Sequence, residues 1–434
     1  MKKYLSCKDL EKSLYIAPNE IRSCCQRFFY KNQMRGDAKL LDIKDGHTPT
    51  VYEIKKARTD LFEKIQNNNS KSCNGCPFLY ETEKKPNFDS SVNHLSIEHH
   101  SVCNLRCTYC SETYYGGVRS KYNVVEFIKY LSENKSFKNC KQVVWGGGEP
   151  TLDKSFELIV REIDKYANPN LYHRVFTNSV RYHNAVEEFL KDGSIKIVTS
   201  IDSGSSETFK KIRGRDKFFN VFENLKKYSE IDPSKITIKY IFTDGNEKED
   251  ELVNFVNYCV KYNLNKCSYQ ISMNYKYSEL KFQNLKKISL LMGLLKKKGI
   301  KKFFCDDHIA LRFKKIDTKE KNDLIKFLKD RNIDDIILTN GNIEKINFYV
   351  IGDIATNFLN KSDSVELFKQ LELYDSDENK IGNKVNDFII KKPEDLRKNS
   401  NKIFISTAQS YDDIYQFLKK INIDTERVIS GLLI

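Results

Sequence analysis

Between residues 92 and 305 the chain alternates strand-like and helix-like runs, and this alternation narrows the possible folds sharply. Apolar and β-branched runs fall at 95–100, 142–145, 173–177, 195–200, 235–243 and 268–273. Segments with helical spacing of apolar residues lie between and after them, at 124–133, 155–167, 184–191, 216–230, 248–262 and 279–298. Six strands, each followed by a helix, imply a parallel sheet, open or curved toward a barrel. The Gly, Asn, Asp and Cys clusters follow the C-terminal ends of these strands, where parallel α/β folds keep their active sites.

The flanking regions read differently. Residues 1–90 are irregular and cysteine-rich, with one clear helix at 51–66, and the polar stretch 81–91 around Pro86 reads as a linker. Residues 306–344 form a connecting region with a helix at 319–329. From 345 to 434 a second α/β pattern begins, with strands at 345–351, 371–374, 385–390 and 402–406 and helices at 355–359 and 412–420.

Composition excludes several classes. With 40% hydrophobic and 30% charged residues the chain can bury cores and does not read as disordered. Its longest apolar stretches, such as 290–295, are far short of the roughly 18–20 residues that span a bilayer. The N-terminus opens no apolar signal region, so a soluble cytoplasmic protein is expected. The net charge of +14 comes from lysines interleaved with Asp and Glu, and runs such as 296–298 read as solvated helix faces. Nucleic acid is not the expected partner.

The twelve cysteines carry more information. In a reducing compartment, spaced clusters mean metal rather than disulfides. Cys103, Cys107 and Cys110 form C-x3-C-x2-C directly after the first strand. Thiolates that close in sequence bind one centre and leave a coordination position open, as an iron–sulfur cluster with three protein ligands does. Zinc completed by His99 or His100 is the alternative. A second set, Cys7, Cys24, Cys73 and Cys76, ends in a tight C-x2-C and suits zinc or a cluster, with Cys25 as an alternative to Cys24.

The three-cysteine loop, with Tyr109 before its last cysteine, resembles the radical S-adenosylmethionine (SAM) superfamily. Gly146-Gly147-Gly148-Glu149-Pro150 after the second strand strengthens the resemblance, because the family's glycine motif holds the methionyl amine of SAM with backbone groups. Asn178 stands where the family contacts the nucleoside, Arg213 where it approaches the SAM carboxylate, and Ser200 and Asp202 close the fourth strand. The resemblance implies a partial (βα)6 barrel over 92–305. A reduced 4Fe–4S cluster there cleaves SAM to a 5′-deoxyadenosyl radical, which removes hydrogen from a substrate. It also implies a flavodoxin- or ferredoxin-type electron donor.

The N-terminal cysteines resemble the SPASM or twitch auxiliary-cluster module, with Asn19 at a usual glycine position, although that module ordinarily follows the radical domain. A second 4Fe–4S cluster that aids a net oxidation is therefore expected. Residues 345–434 are similar to small Rossmann-like domains of surface-polysaccharide enzymes, through Tyr349-Val350-Ile351-Gly352, Tyr374-Asp375-Ser376-Asp377 and Lys392-Pro393-Glu394. Their first turn, Gly352-Asp353-Ile354-Ala355, is poor in glycine, which favours a docking role over nucleotide binding. Together these features point to hydrogen abstraction from a small polar substrate, a sugar or carrier-linked sugar precursor. A peptide-modifying enzyme is one alternative, and a metal-stabilised nucleic-acid-binding protein is another. Cys267 and Cys305 are candidate hydrogen donors, and Asp306, Asp307 and His308 candidate substrate contacts.

Overall fold

The structure is a computed structural model that describes residues 3–110, 116–277, 279–306, 309, 312, 317–338, 345–349, 359, 370–407 and 411–433. The chain forms two compact units, one of residues 1–199 with 210–236 and the other of residues 200–209 with 237–434.

The first unit begins with β1 (Tyr4–Ser6), α1 (Lys8–Lys12), β2 (Ser13–Ile16), β3 (Glu20–Arg22), the hairpin β4 (Arg27–Tyr30) and β5 (Gln33–Gly36), β6 (Lys39–Asp42), α2 (Val51–Gln66) and β7 (Tyr80–Thr82). The alternating part follows as β8 (His94–Ile97), α3 (Val124–Glu133), β9 (Gln142–Trp145), α4 (Phe156–Asp164), β10 (Tyr172–Phe176), α5 (Asn184–Asp192), β11 (Ile195–Ser200), α6 (Ser206–Arg213) and α7 (Phe218–Ile231). Within this unit the main sheet runs β11-β10-β9-β8-β2-β3-β6, parallel from β11 through β2.

Helix ends follow local chemistry. The Asn123 side chain accepts from Glu126 N at 3.2 Å to open α3, and α5 stops at Gly193 with φ +84. One face of the sheet is sealed by these helices. Trp145 meets Phe156 edge-on at 4.8 Å, and Phe156 meets Phe189 of α5 at 6.4 Å. Burial of each such side chain is worth about 1.5–3 kcal/mol.

The sequence reading missed β2, β3 and β6, which extend the sheet from the N-terminal region. Strands of three or four residues are too short to display a period of two. The stretch read as a linker is also tied down. Arg58 of α2 is fully buried, donating at 3.1 Å to the carbonyls of Glu11 and Asp89 and at 2.8 Å to that of Ser13. Its guanidinium caps backbone oxygens that would otherwise be buried without donors, and burial lowers its pKa to about 10.

The second unit contains β12 (Ile236–Phe242), α8 (Glu249–Lys261), β13 (Ser268–Met273), α9 (Phe282–Lys297) and β14 (Phe303–Cys305), whose strands pair in parallel in that order. Beyond the helix Thr318–Lys329 and the short strand β15 (Ile337–Leu338) comes a six-stranded sheet. It is built from β16 (Lys345–Tyr349), β17 (Gln370–Tyr374), β18 (Lys384–Val385), β19 (Phe388–Lys391), β20 (Lys402–Ile405) and β21 (Val428–Ile429). Its order is β18-β19-β17-β16-β20-β21, and every pair but β18–β19 is parallel. The single strand expected at 385–390 is thus a tight hairpin, turned at Asn386 with φ +51.

The helix Tyr411–Lys420 joins the two parts of this unit. Tyr411 stacks on Phe304 at 4.8 Å, and Asp412 accepts from Ser268 Oγ and from Thr237 Oγ1. The Gly352–Ala355 turn lies outside the described residues, as does the helix expected at 355–359 apart from Leu359. No helix among the described residues is long and apolar enough to cross a membrane.

Candidate active site and metal centres

The three-cysteine loop leaves the end of β8 and is fastened at both its middle and its end. Arg106 N donates to Arg213 O at 2.9 Å, and Thr108 N to Ile212 O at 2.8 Å, which binds the loop to the last turn of α6. Leu105 is buried beneath it. Cys103 Sγ accepts from Leu105 N at 3.4 Å, and Cys110 N donates to Cys107 O at 3.1 Å. The Cys107 and Cys110 thiols share a hydrogen bond that raises the Cys110 pKa, and burial adds to it. Burial also raises that of Cys103, while the nearby Arg213 charge acts the other way on both Cys103 and Cys110. Three thiols drawn together beside a cation are a donor set suited to a metal centre, which displaces protons on binding.

The glycine segment after β9 lies directly on this loop. Gly146 N, Gly148 N and Glu149 N donate to the carbonyls of Ile97, His100 and Val102 at 3.1, 3.0 and 2.8 Å. A Cβ on Gly148 would stand 2.2 Å from the Val102 oxygen, and Gly147 has φ +86, so side chains are excluded by contact and by backbone. With those N–H groups engaged, the carbonyls of the segment are what remains for an ammonium donor.

Glu149 is a buried clasp. Oε1 accepts from Thr151 N, Thr151 Oγ1 and Thr177 Oγ1 at 3.2, 2.6 and 2.8 Å, and Oε2 accepts from Asn178 N at 2.7 Å. Burial raises its pKa against these bonds. The clasp ties the end of β9 to the end of β10 and so places Asn178, whose Nδ2 donates to Asn104 Oδ1 at 2.6 Å and lies 3.8 Å from Cys103 Sγ. Arg213 is buried, donates to the Tyr109 hydroxyl, and has its guanidinium 5.7 Å from the Tyr109 ring centroid. The structure thus gathers Cys103, Cys107, Cys110, Tyr109, Gly146–Gly148, Glu149, Asn178 and Arg213 within the first unit.

Ser200 and Asp202 belong to the second unit. Ser200 is half-buried at the end of β11. Asp202 is buried at φ +62, accepts from Ile241 N at 2.7 Å and receives Asn246 Nδ2 on its carbonyl at 2.9 Å. These contacts make it a clamp on β12. Asp306 accepts from Gln270 Nε2 and Ser272 Oγ at 3.0 and 3.1 Å. Cys267 is buried and Cys305 half-buried, while Asp307 and His308 lie outside the described residues. The histidines proposed as zinc ligands group with Asp153: His99 Nε2 lies 2.9 Å from Asp153 Oδ2, and the ligand atoms of His99, His100 and Asp153 are within 4.8 Å of one another.

The N-terminal cysteines line one pocket. Its empty space is about 400 Å³ with open solvent included, and its walls include Leu10, Phe28, Ala38, Leu61, Ile65 and Leu79. Cys7 caps α1 and accepts from Leu10 N at 3.3 Å, Cys24 follows β3, and Cys73 and Cys76 form a turn closed by Cys76 N to Cys73 O at 3.0 Å. Gly75 permits that turn, having φ +77 and the Tyr30 ring where a Cβ would stand. Burial drives all four thiols upward, Cys24 to about 12 and Cys76 to about 11. Cys24 lines the pocket, whereas Cys25 is exposed.

A parallel α/β unit with three converging cysteines beside a glycine strand end defines a class, and residues 97–259 match the family model of the Radical SAM superfamily. The chain carries a radical SAM domain, whose family uses a 4Fe–4S cluster and SAM. Over that region it is similar to the GTP 3′,8-cyclase of Clostridium botulinum (strain Okra / Type B1), 28% identical over 39% of this chain and 54% of the relative. The GTP 3′,8-cyclase of Pasteurella multocida (strain Pm70) is 32% identical over 36% and 46%. The chain spans about half the length of these curated relatives, which are named for a nucleotide reaction and not for sugar modification. Among solved structures, Streptococcus suis SuiB bound to S-adenosylmethionine matches with TM-score 0.42 and 14% identity over 62% of this chain and 59% of that one. Native anSMEcpe with bound AdoMet matches with TM-score 0.35 and 22% identity over 47% and 59%.

Proposed function

We propose that this protein is a radical SAM enzyme that abstracts hydrogen from a small polar substrate, a sugar or carrier-linked sugar precursor, with a second cluster at Cys7, Cys24, Cys73 and Cys76 serving a net oxidation. The observation that carries the reading is the fastening of the Cys103–Cys110 loop to both the glycine segment and Arg213. When bound, the cluster and SAM supply a carbon-centred oxidant able to take hydrogen from an unactivated C–H bond.

The chain's own residues do the rest. Cys103, Cys107 and Cys110 would hold the cluster, and the carbonyls of Gly146–Gly148 would accept from the methionyl ammonium. Arg213, set by Tyr109, would pair with the carboxylate. The Glu149 clasp holds Asn178 against the loop so that the cavity is aligned before substrate arrives. Four thiols lining the N-terminal pocket would leave a bound cluster no open ligand position, which suits electron transfer better than substrate binding. The 3-2-1-4-5 order of the parallel strands of the C-terminal sheet supports a Rossmann-like domain there.

A second reading, a purine nucleotide as substrate, is favoured by the relatives that match the radical domain. The test is 5′-deoxyadenosine formation by the anaerobically reconstituted, dithionite-reduced protein. Formation by the wild type and its loss in Cys107→Ala are expected, and no formation by the wild type overturns the reading.

A further inference from the structure

The outer side of the three-cysteine loop faces water. Arg106 and Thr108 are exposed, while Leu105, Cys107 and Tyr109 beside them are buried. The carbonyls of Ile212 and Arg213, which receive the loop's N–H groups, lead into an exposed turn at Gly214 and Arg215. Gly214 has φ +76, and a Cβ there would stand 2.7 Å from Arg106 Cβ, so the turn lies bare against the loop. One hydrogen bond, 2.9 Å from Arg106 N to Arg213 O, and one residue separate this surface turn from Cys107.

Cations gather at the same place. Between residues 210 and 222 stand Lys210, Lys211, Arg213, Arg215 and Lys217, against the single carboxylate of Asp216. Lys210, Lys211, Arg215 and Lys217 are exposed and belong to the same compact unit as the loop. Among the described residues these four make no ion pair. On and beside α4 and α5, by contrast, Arg161 pairs with Glu157 and Glu188, Lys165 with Glu162 and Lys191 with Glu187. Beside the unpaired set Phe219 is 48% exposed, and aromatic side chains are the usual anchors of protein interfaces. A solvated helix face needs neither the exposed ring nor the bare turn.

We infer that Lys210, Lys211, Arg215, Lys217 and Phe219 form the docking face for an acidic one-electron carrier protein, which reduces the cluster site across the Gly214 turn. The inference rests on the proposed function, because each SAM cleaved requires one electron at that site. The carrier is oxidised by one electron and the cluster site reduced by one, with no bond made or broken between the two proteins. Four unpaired cations attract an acidic surface and steer its approach. The attraction weakens as salt screens it.

The probes are an acidic flavodoxin and an acidic two-cluster ferredoxin, each titrated calorimetrically into the reconstituted full chain. Binding of at least one is expected, and which one binds separates a flavin carrier from an iron–sulfur carrier. Affinity should fall with added salt, and about ten-fold or more in Lys210→Glu combined with Lys211→Glu. Arg215→Glu combined with Lys217→Glu should act alike. Lys55→Glu combined with Lys56→Glu on α2 changes the charge equally and should leave binding intact. The two face variants should also lose 5′-deoxyadenosine formation driven by the reduced carrier. They should keep that driven by dithionite, a small reductant that needs no docking face. Binding of neither carrier, or equal binding by the wild type and both face variants, overturns the face. A greater loss in the α2 variant, or binding of single-stranded RNA in place of either carrier, overturns it too. Absence of 5′-deoxyadenosine from the wild type with dithionite overturns the radical reading instead, so the two failures are distinguishable.

Discussion

The two cysteine sites of this protein are built in opposite ways. The N-terminal site takes one thiol from each of two short elements and two from a turn, and encloses them in apolar walls of Leu10, Phe28, Leu61 and Ile65. The Cys103–Cys110 site takes all its thiols from a single loop and sets polar groups beside them, namely Asn178, Arg213 and Tyr109. A pocket that supplies four thiols can fill every ligand position of a bound centre. A loop with three thiols and oriented polar neighbours is made to receive a further ligand. The difference is what supports the two proposed roles, electron transfer or structure for the first and cosubstrate chemistry for the second.

Breaking each site in turn sharpens the contrast. The largest effect is expected from Cys107→Ala, which should abolish 5′-deoxyadenosine formation, read by chromatography, while the iron of the N-terminal site is retained. Cys73→Ala combined with Cys76→Ala should remove about four irons per chain if that site holds a cluster, counted by iron and sulfide analysis. Loss of one zinc with unchanged iron would make the site structural.

The remaining effects are on stability. His100 is buried beside His99, and burial holds its pKa down to about 4 against an ordinary 6.5. Between those values the unfolded chain takes up a proton that the fold refuses. Stability should therefore fall as pH drops through that window, by about 3 kcal/mol, and the fall should flatten in His100→Gln when followed by denaturant melts. Glu149→Gln exchanges one accepting oxygen of the clasp for a donor facing other donors, and about 2 kcal/mol should be lost, with weaker SAM binding by calorimetry. The smallest effect should be Gly75→Ala. Positive φ alone costs about 1–2 kcal/mol, and the Tyr30 ring must move as well, which a thermal melt with an iron count would register together.

Much of the second site was legible in the sequence because its chemistry sits in contiguous motifs. The loop 103–110, the glycines 146–148 and the strands Gln142–Trp145, Ile195–Ser200 and Ser268–Met273 stand where spacing and periodicity put them. What could not be read were relations across the fold. Glu149 adjoins the glycines in sequence, and only the approach of Thr177 and Asn178 reveals its side chain as a clasp. Asp202 closes a strand in sequence yet serves as a clamp on β12. Arg58 gave no signal at all, since a buried arginine on a helix looks like a surface one until the carbonyls around it are known. The two faces of β10 differ, since half-buried Tyr172, Arg174 and Phe176 alternate with buried His173 and Val175.

The most direct test of the contrast is electron paramagnetic resonance of the reduced, anaerobically reconstituted protein with and without SAM. The account predicts two cluster signals, of which SAM perturbs only the one lost in Cys107→Ala. A SAM effect on both signals, or on neither, would contradict it.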